Sequence, residues 1–178
     1  MIYLLRIISD EDQDFMRDLV IDGSDTFLDF HQCLQKDLNF DPSQLASFFI
    51  TNDRWEKQQE ITLIDMMQDT GIEVRTMEQV TIDEYLDEVN QRLVYVFDFF
   101  SERAFFMELI EMSDETSPRE TPFIGHSKGD PPAQLALDLL SEEADPLLGE
   151  GEPDLDQDNI RLEDLDPDQL ESGFPDDF

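Results

Sequence analysis

The sequence predicts an α+β fold. A mixed, mostly antiparallel sheet carries one main covering helix, opens in the β-β-α-β-β order of a β-grasp arrangement, and gives way to an acidic C-terminal tail. Three observations predict it. Residues 93–112, LVYVFDFFSERAFFMELIEM, are two apolar, aromatic and β-branched runs split by the polar Ser101-Glu102-Arg103, the pattern of a hairpin with both faces at least partly buried. Residues 26–38 place Phe27, Phe30, Leu34 and Leu38 on one helical stripe. Beyond Met112 the apolar runs yield to Pro, Gly, Asp and Glu.

Taken in order, residues 2–8 are an apolar run ended by Ser9-Asp10-Glu11-Asp12. Residues 15–21 alternate, with Phe15, Leu19 and Ile21 on one face and Asp14, Asp18 and Asp22 on the other, so the two runs form a first hairpin. Gly23-Ser24-Asp25 breaks the strand. Thr26 and Asp29 have capping-box spacing at the start of the main helix, and Asn39 and Pro42 end it. Residues 45–51 predict a strand, Asn52-Asp53 a turn, and residues 55–61 a more polar returning strand. Thr62 and Asp65 repeat the capping-box spacing, before a short helix through Met67 and a loop at Asp69-Thr70-Gly71. Thr81 and Glu84 repeat it once more, opening a short helix to about Val89, and the aromatic hairpin follows. This organisation places a globular α+β domain at residues 1–112, an irregular extension with a short helix at 113–140, and an acidic, disordered tail at 141–178.

Charge bounds the function. The 178 residues hold 11 Lys and Arg against 45 Asp and Glu, a formal charge of −34. Residues 1–112 contribute 8 basic and 25 acidic side chains, and the last 66 residues 3 and 20, so each part carries −17 and the tail is charged more densely. Such a balance argues against direct binding to a nucleic-acid backbone, which needs clustered Lys and Arg, and against anionic membrane surfaces. It suits a basic protein partner, divalent cations or mimicry of nucleic acid, or serves solubility alone. One cysteine, Cys33, excludes an intrachain disulfide, and its helical position suggests a buried thiol. The N-terminus lacks the basic start of a signal peptide and no apolar run reaches membrane-spanning length, so the expected setting is a bacterial cytoplasm.

Few residues suggest chemistry. His31 sits beside the apolar helical stripe; as a base or metal ligand it lacks the clustered His and Cys a zinc site needs, and the expectation is a hydrogen-bonded core histidine. Asp98 lies between Phe97 and Phe99, where a carboxyl can become a raised-pKa acid; the plainer alternative is that it faces solvent or pairs with Arg103 or Arg92. Asp154, Asp156 and Asp158 have the spacing that opens an EF-hand loop, but Asn159 stands where that loop needs Gly and Leu165 where it needs Glu. Phosphate-binding glycine loops, nucleophile elbows and the HExxH zinc motif are absent from the sequence.

The opening IYLLRI strand, the TFLDFHQCL helix and the late YVFDF strand with its paired strand together resemble the plasmid pRiA4b ORF-3-like family over about residues 1–112, as a divergent member. The family's late motif runs Tyr-Asp-Phe-Gly-Asp-x-Trp-x-His. Against it the chain has residues 97–105, FDFFSERAF, so Asp98 and Phe99 match while the Gly, second Asp, Trp and His do not. The resemblance implies an α+β fold and a loose historical association with mobile elements, and carries over no catalytic residue. The expectation is therefore a non-enzymatic cytoplasmic module for protein–protein contacts, with an unknown partner of basic character. No catalytic, cofactor-binding or metal-binding residue and no cofactor is assigned. The alternatives are an enzyme of unknown reaction using Asp98 and His31, or an acidic protein that mimics nucleic acid or binds cations.

Overall fold

A computed structural model describes residues 1–65 and 74–135. Among them are seven strands: β1 (Ile2–Ser9), β2 (Met16–Asp22), β3 (Ser47–Thr51), β4 (Lys57–Thr62), β5 (Arg92–Asp98), β6 (Arg103–Ser113) and β7 (Phe123–Lys128). They form one sheet in the order β4-β3-β5-β6-β1-β2-β7, with every named pair antiparallel. A parallel contact occurs as the isolated bridge between Thr62 and Thr76. The helix α1 (Phe27–Leu38) packs on one face, with Phe27 and Phe30 against the ring of Phe48.

Local sequence explains these elements. The Thr26 hydroxyl accepts from the Asp29 backbone N–H at 3.1 Å while the Asp29 carboxylate accepts from the Thr26 N–H at 2.9 Å, so two of the donors left over at the helix start are satisfied. Asn39, left-handed at φ 54°, closes the other end. The apolar stripe is buried as its spacing requires. In the first hairpin Phe15, Leu19 and Ile21 turn to the core together, as alternation demands. β5 and β6 pair as interior strands, and β5 is buried from Leu93 to Asp98.

Three expectations change. The segment after Met112, expected to be irregular, supplies β7, which extends the sheet by pairing with β2. Its polar composition hid it, because an edge strand exposes most of its side chains; Gly125, His126, Ser127 and Lys128 are all exposed. The helix after Thr81 is a single 3-10 turn, Ile82–Glu84, held by its capping box and ended at Tyr85. Thr62 closes β4 and its hydroxyl donates to the Ile64 carbonyl; the rest of the helix expected through Met67 lies outside the described residues. So do the loop at 69–71, most of the short helix expected within 133–140, the Asp154/Asp156/Asp158 run and the whole of 141–178.

β7 is fastened by a residue that the alternation places on the inner face. Arg17 follows Phe15 and precedes Leu19 in that register, and only 5 % of it is exposed. Its guanidinium lies over the Phe15 ring, pairs with Asp37 of α1 at 2.7 Å, and donates to the carbonyls of Met16, Lys128 and Gly129. A buried arginine needs that many acceptors. Gly129, at φ +69°, completes the clasp: a Cβ there would sit 2.6 Å from the Asp14 carbonyl oxygen.

Candidate functional site

Under α1 lies a buried polar group. His31 and Gln35, one helical turn apart, both reach the hydroxyl of Tyr95 on β5: His31 Nδ1 at 2.8 Å and Gln35 Nε2, donating, at 3.0 Å. The Tyr95 hydroxyl thus accepts from Gln35 and shares a second hydrogen bond with His31 Nδ1, whose direction follows the ring tautomer. Burial pushes the His31 pKa down to about 4, so the ring is neutral at pH 7. Burial likewise holds the Tyr95 phenol well above its ordinary value. The expectation of a core histidine holds, and its partner is a tyrosine more than sixty residues away, a pairing that local patterning does not reveal.

Asp98 ends β5 and is buried, which corrects the alternative that it faces solvent. Its carboxylate accepts from the backbone N–H groups of Phe100 at 3.0 Å and Ser101 at 3.2 Å, so it shapes the turn into β6. Glu102, at φ 55°, completes that turn. Asp98 pairs in register with Arg103, whose guanidinium binds Glu11 through two bonds of 2.8 and 2.7 Å and lies over the Phe97 ring. His31 borders one cavity, of about 350 Å³, with Lys36, Asn39 and Phe40. Asp98 borders another, so the two candidate groups do not share a site.

The Asp98 cavity is the more informative. It is a groove of about 490 Å³ between the 98–101 turn and the ends of β3 and β4. Leu45, Ile64, Phe97, Phe99, Phe100 and Leu135 give it apolar walls. The turn holds the Phe100 side chain 97 % exposed, and Leu45, Ile64 and Phe99 are also exposed. Single exposed apolar residues are ordinary, but here four gather around one groove. Among the described residues its charged wall groups are Glu60 and Asp98, both acidic.

A third cavity, about 600 Å³, runs between α1 and the start of β7 and is bordered by Asp29, Cys33, Lys36, Asp37 and Phe123. Burial first, and the Asp37 carboxylate second, push the Cys33 thiol up to about 11, so it stays protonated and is a weak nucleophile. Among the described residues no three His, Cys, Asp or Glu side chains gather as metal ligands, and no helix is long and apolar enough to cross a membrane. The sequence reading missed two features here. The exposure of Phe99 and Phe100 was masked by their membership of an apolar run. Arg17 carried a signal, its place in the Phe15/Leu19/Ile21 alternation.

Residues 2–135 match the family model described as plasmid pRiA4b ORF-3-like protein, a span that takes in β7 as well as the earlier strands. No curated protein matches the sequence. Among solved structures the chain is similar to a protein of unknown function, MM3350, from Methanosarcina mazei Go1, at 16 % identity and a TM-score of 0.57, over 71 % of this chain and 68 % of that one. That likeness concerns the fold.

Proposed function

The chain belongs to the plasmid pRiA4b ORF-3-like family, and from that footing we propose that it is a non-enzymatic, cytoplasmic protein-interaction module whose groove at the β5–β6 turn receives an apolar segment flanked by Lys or Arg from a partner protein. One observation carries this reading: Phe100 stands almost fully exposed beside an apolar groove that a buried carboxylate and two backbone N–H groups hold in shape. A turn that presents a large apolar side chain to solvent leaves the free energy of its burial unused in the isolated protein, and contact with a partner gains it. The acidic wall groups and the chain's −34 charge favour basic flanks, which speed encounter and exclude acidic competitors. The enzyme alternative is weakened by where its groups lie: His31 is neutral and bonded to Tyr95, Asp98 is occupied in the turn, and the two border different cavities.

The test is fluorescence anisotropy with a labelled amphipathic Leu/Lys peptide and its Leu/Glu counterpart. The account expects the Leu/Lys peptide alone to bind, and Phe100→Ser and Leu45→Ser each to weaken it by about tenfold, the scale of about 1.4 kcal/mol. Equal affinity for both variants and wild type would show that charge alone attracts the peptide and would overturn the reading.

A further inference from the structure

We propose that the face of the sheet opposite α1 joins two copies of this chain in a two-fold dimer. Among the described residues no helix or strand is layered on that face, and the loop at 115–118 borders only its Ile2, Leu4 and Val20 end. It is nonetheless built like a second core. Val94, Val96 and Ala104 are buried there by the side chains of Phe49, Trp55 and Phe106. Trp55 and Phe106 meet edge to face at 5.1 Å, while Ile8, opposite Phe106 in register, is left exposed. A shallow cavity of about 180 Å³ opens between Ile8, Trp55, Phe106 and Ile110.

Charge selects the occupant. Over most of its surface a chain of −34 repels a second copy of itself. On this face the central carboxylates are already neutralised by arginines of the same face. Arg6 binds Asp18 through two bonds of 2.8 and 3.0 Å, and Arg92 binds Glu108 at 3.0 Å. Arg92 also lies over Trp55, and Lys57 over Phe49. Each positive group is thus tied to a carboxylate or an aromatic ring within the patch. Glu60, opposite Phe49 in register, offsets the charge of Lys57, so these groups of the face sum to zero; in a two-fold interface, where a patch meets its own copy, such a patch repels itself less than a net-charged one.

Size agrees. Five neighbouring strands at about 4.8 Å spacing, each about 20 Å long, present about 500 Å² in projection. Side-chain relief raises the accessible area toward the roughly 800 Å² per partner of a standard interface. Packed this way, the two sheets form a sandwich with the helices outside.

The experiment is sedimentation equilibrium of the full chain over a range of concentrations, in low and moderate NaCl. The dimer account expects a species at about twice the 20.7 kDa chain mass, with association strengthened by salt because the long-range repulsion between copies is screened. Ile8→Lys, which places an unmatched charge at the centre, and Arg6→Glu, which unpairs Asp18, should each weaken association at least about tenfold. Ile8→Ser, a gentler change, should weaken it as well with the far-ultraviolet circular dichroism unaltered. Phe100→Ser, on the separate groove, should leave the dimer intact. A chain that stays monomeric at the highest concentration reached overturns the proposal. So does a dimer that survives both Ile8→Lys and Arg6→Glu, or one that is lost on Phe100→Ser.

Discussion

On the face beneath α1, Tyr95, Phe97, Phe105 and Leu109 are sealed from water, and the polar groups among them, His31, Gln35 and Arg17, have long-range partners. On the opposite face Phe49, Trp55 and Phe106 stay half-buried, and the ion pairs Arg6–Asp18 and Arg92–Glu108 are reached by solvent. The two faces come from one alternation along the same strands. The difference lies in what covers them, and it sets what each polar group is worth. A charge sealed by a helix is costly to orphan, whereas a pair that water reaches contributes about 0–1 kcal/mol.

Four comparisons can break or sharpen that contrast. The largest effect belongs to Phe97→Ala, which removes a ring packed against those of Phe40 and Phe105 and should cost about 3–5 kcal/mol in urea unfolding. Phe106→Ala on the other face should cost about 1–2 kcal/mol. A Phe97 loss below about 1 kcal/mol would contradict its core placement. Arg17→Met should cost about 2–4 kcal/mol, because Asp37 and three carbonyls lose their donor. Arg6→Met should cost under about 1 kcal/mol, and comparable losses at the two arginines would dissolve the distinction between the faces.

The third concerns pH. His31 has an unfolded value near 6.5 and a folded value of about 4, so the unfolded chain binds the proton first. Its contribution is intact above pH 6.5 and is lost as pH falls toward 4, to a limit of about 3 kcal/mol. The gap in stability between wild type and His31→Gln, followed from pH 7 to 4, should change by that amount and in that direction. A constant gap would mean that His31 takes up its proton in the fold. The smallest effect is expected from the acidic tail. A chain ended near Leu140 should unfold cooperatively and within about 1–2 kcal/mol of the full chain, since the few apolar residues beyond it repay little of the cost of ordering some forty residues; an insoluble or molten product would place part of the core beyond residue 140.

Much of the covered face was legible in the sequence. The capping box at Thr26 and Asp29, the Phe27/Phe30/Leu34/Leu38 stripe and the Phe15/Leu19/Ile21 alternation are local signals, and each is found where its spacing puts it. Strands β5 and β6 showed apolar residues at successive positions, which announced two buried faces without naming what lies on the second. β7 escaped because an edge strand with exposed polar side chains has no periodic signature, and its anchor, Arg17, is more than a hundred residues distant. The groove escaped for the opposite reason. Its exposed phenylalanines continue an apolar run, and only the turn set by Asp98 separates Phe97, in the core, from Phe100, in solvent.

The central claim is that this turn presents a docking surface, and backbone amide chemical-shift mapping with the Leu/Lys peptide tests it most directly. The account predicts shifts gathered on Leu45, Ile64, Phe99 and Phe100, retained in moderate salt and abolished in Phe100→Ser. Shifts spread over the acidic surface and erased by salt would contradict it, and would leave the groove without a role in binding.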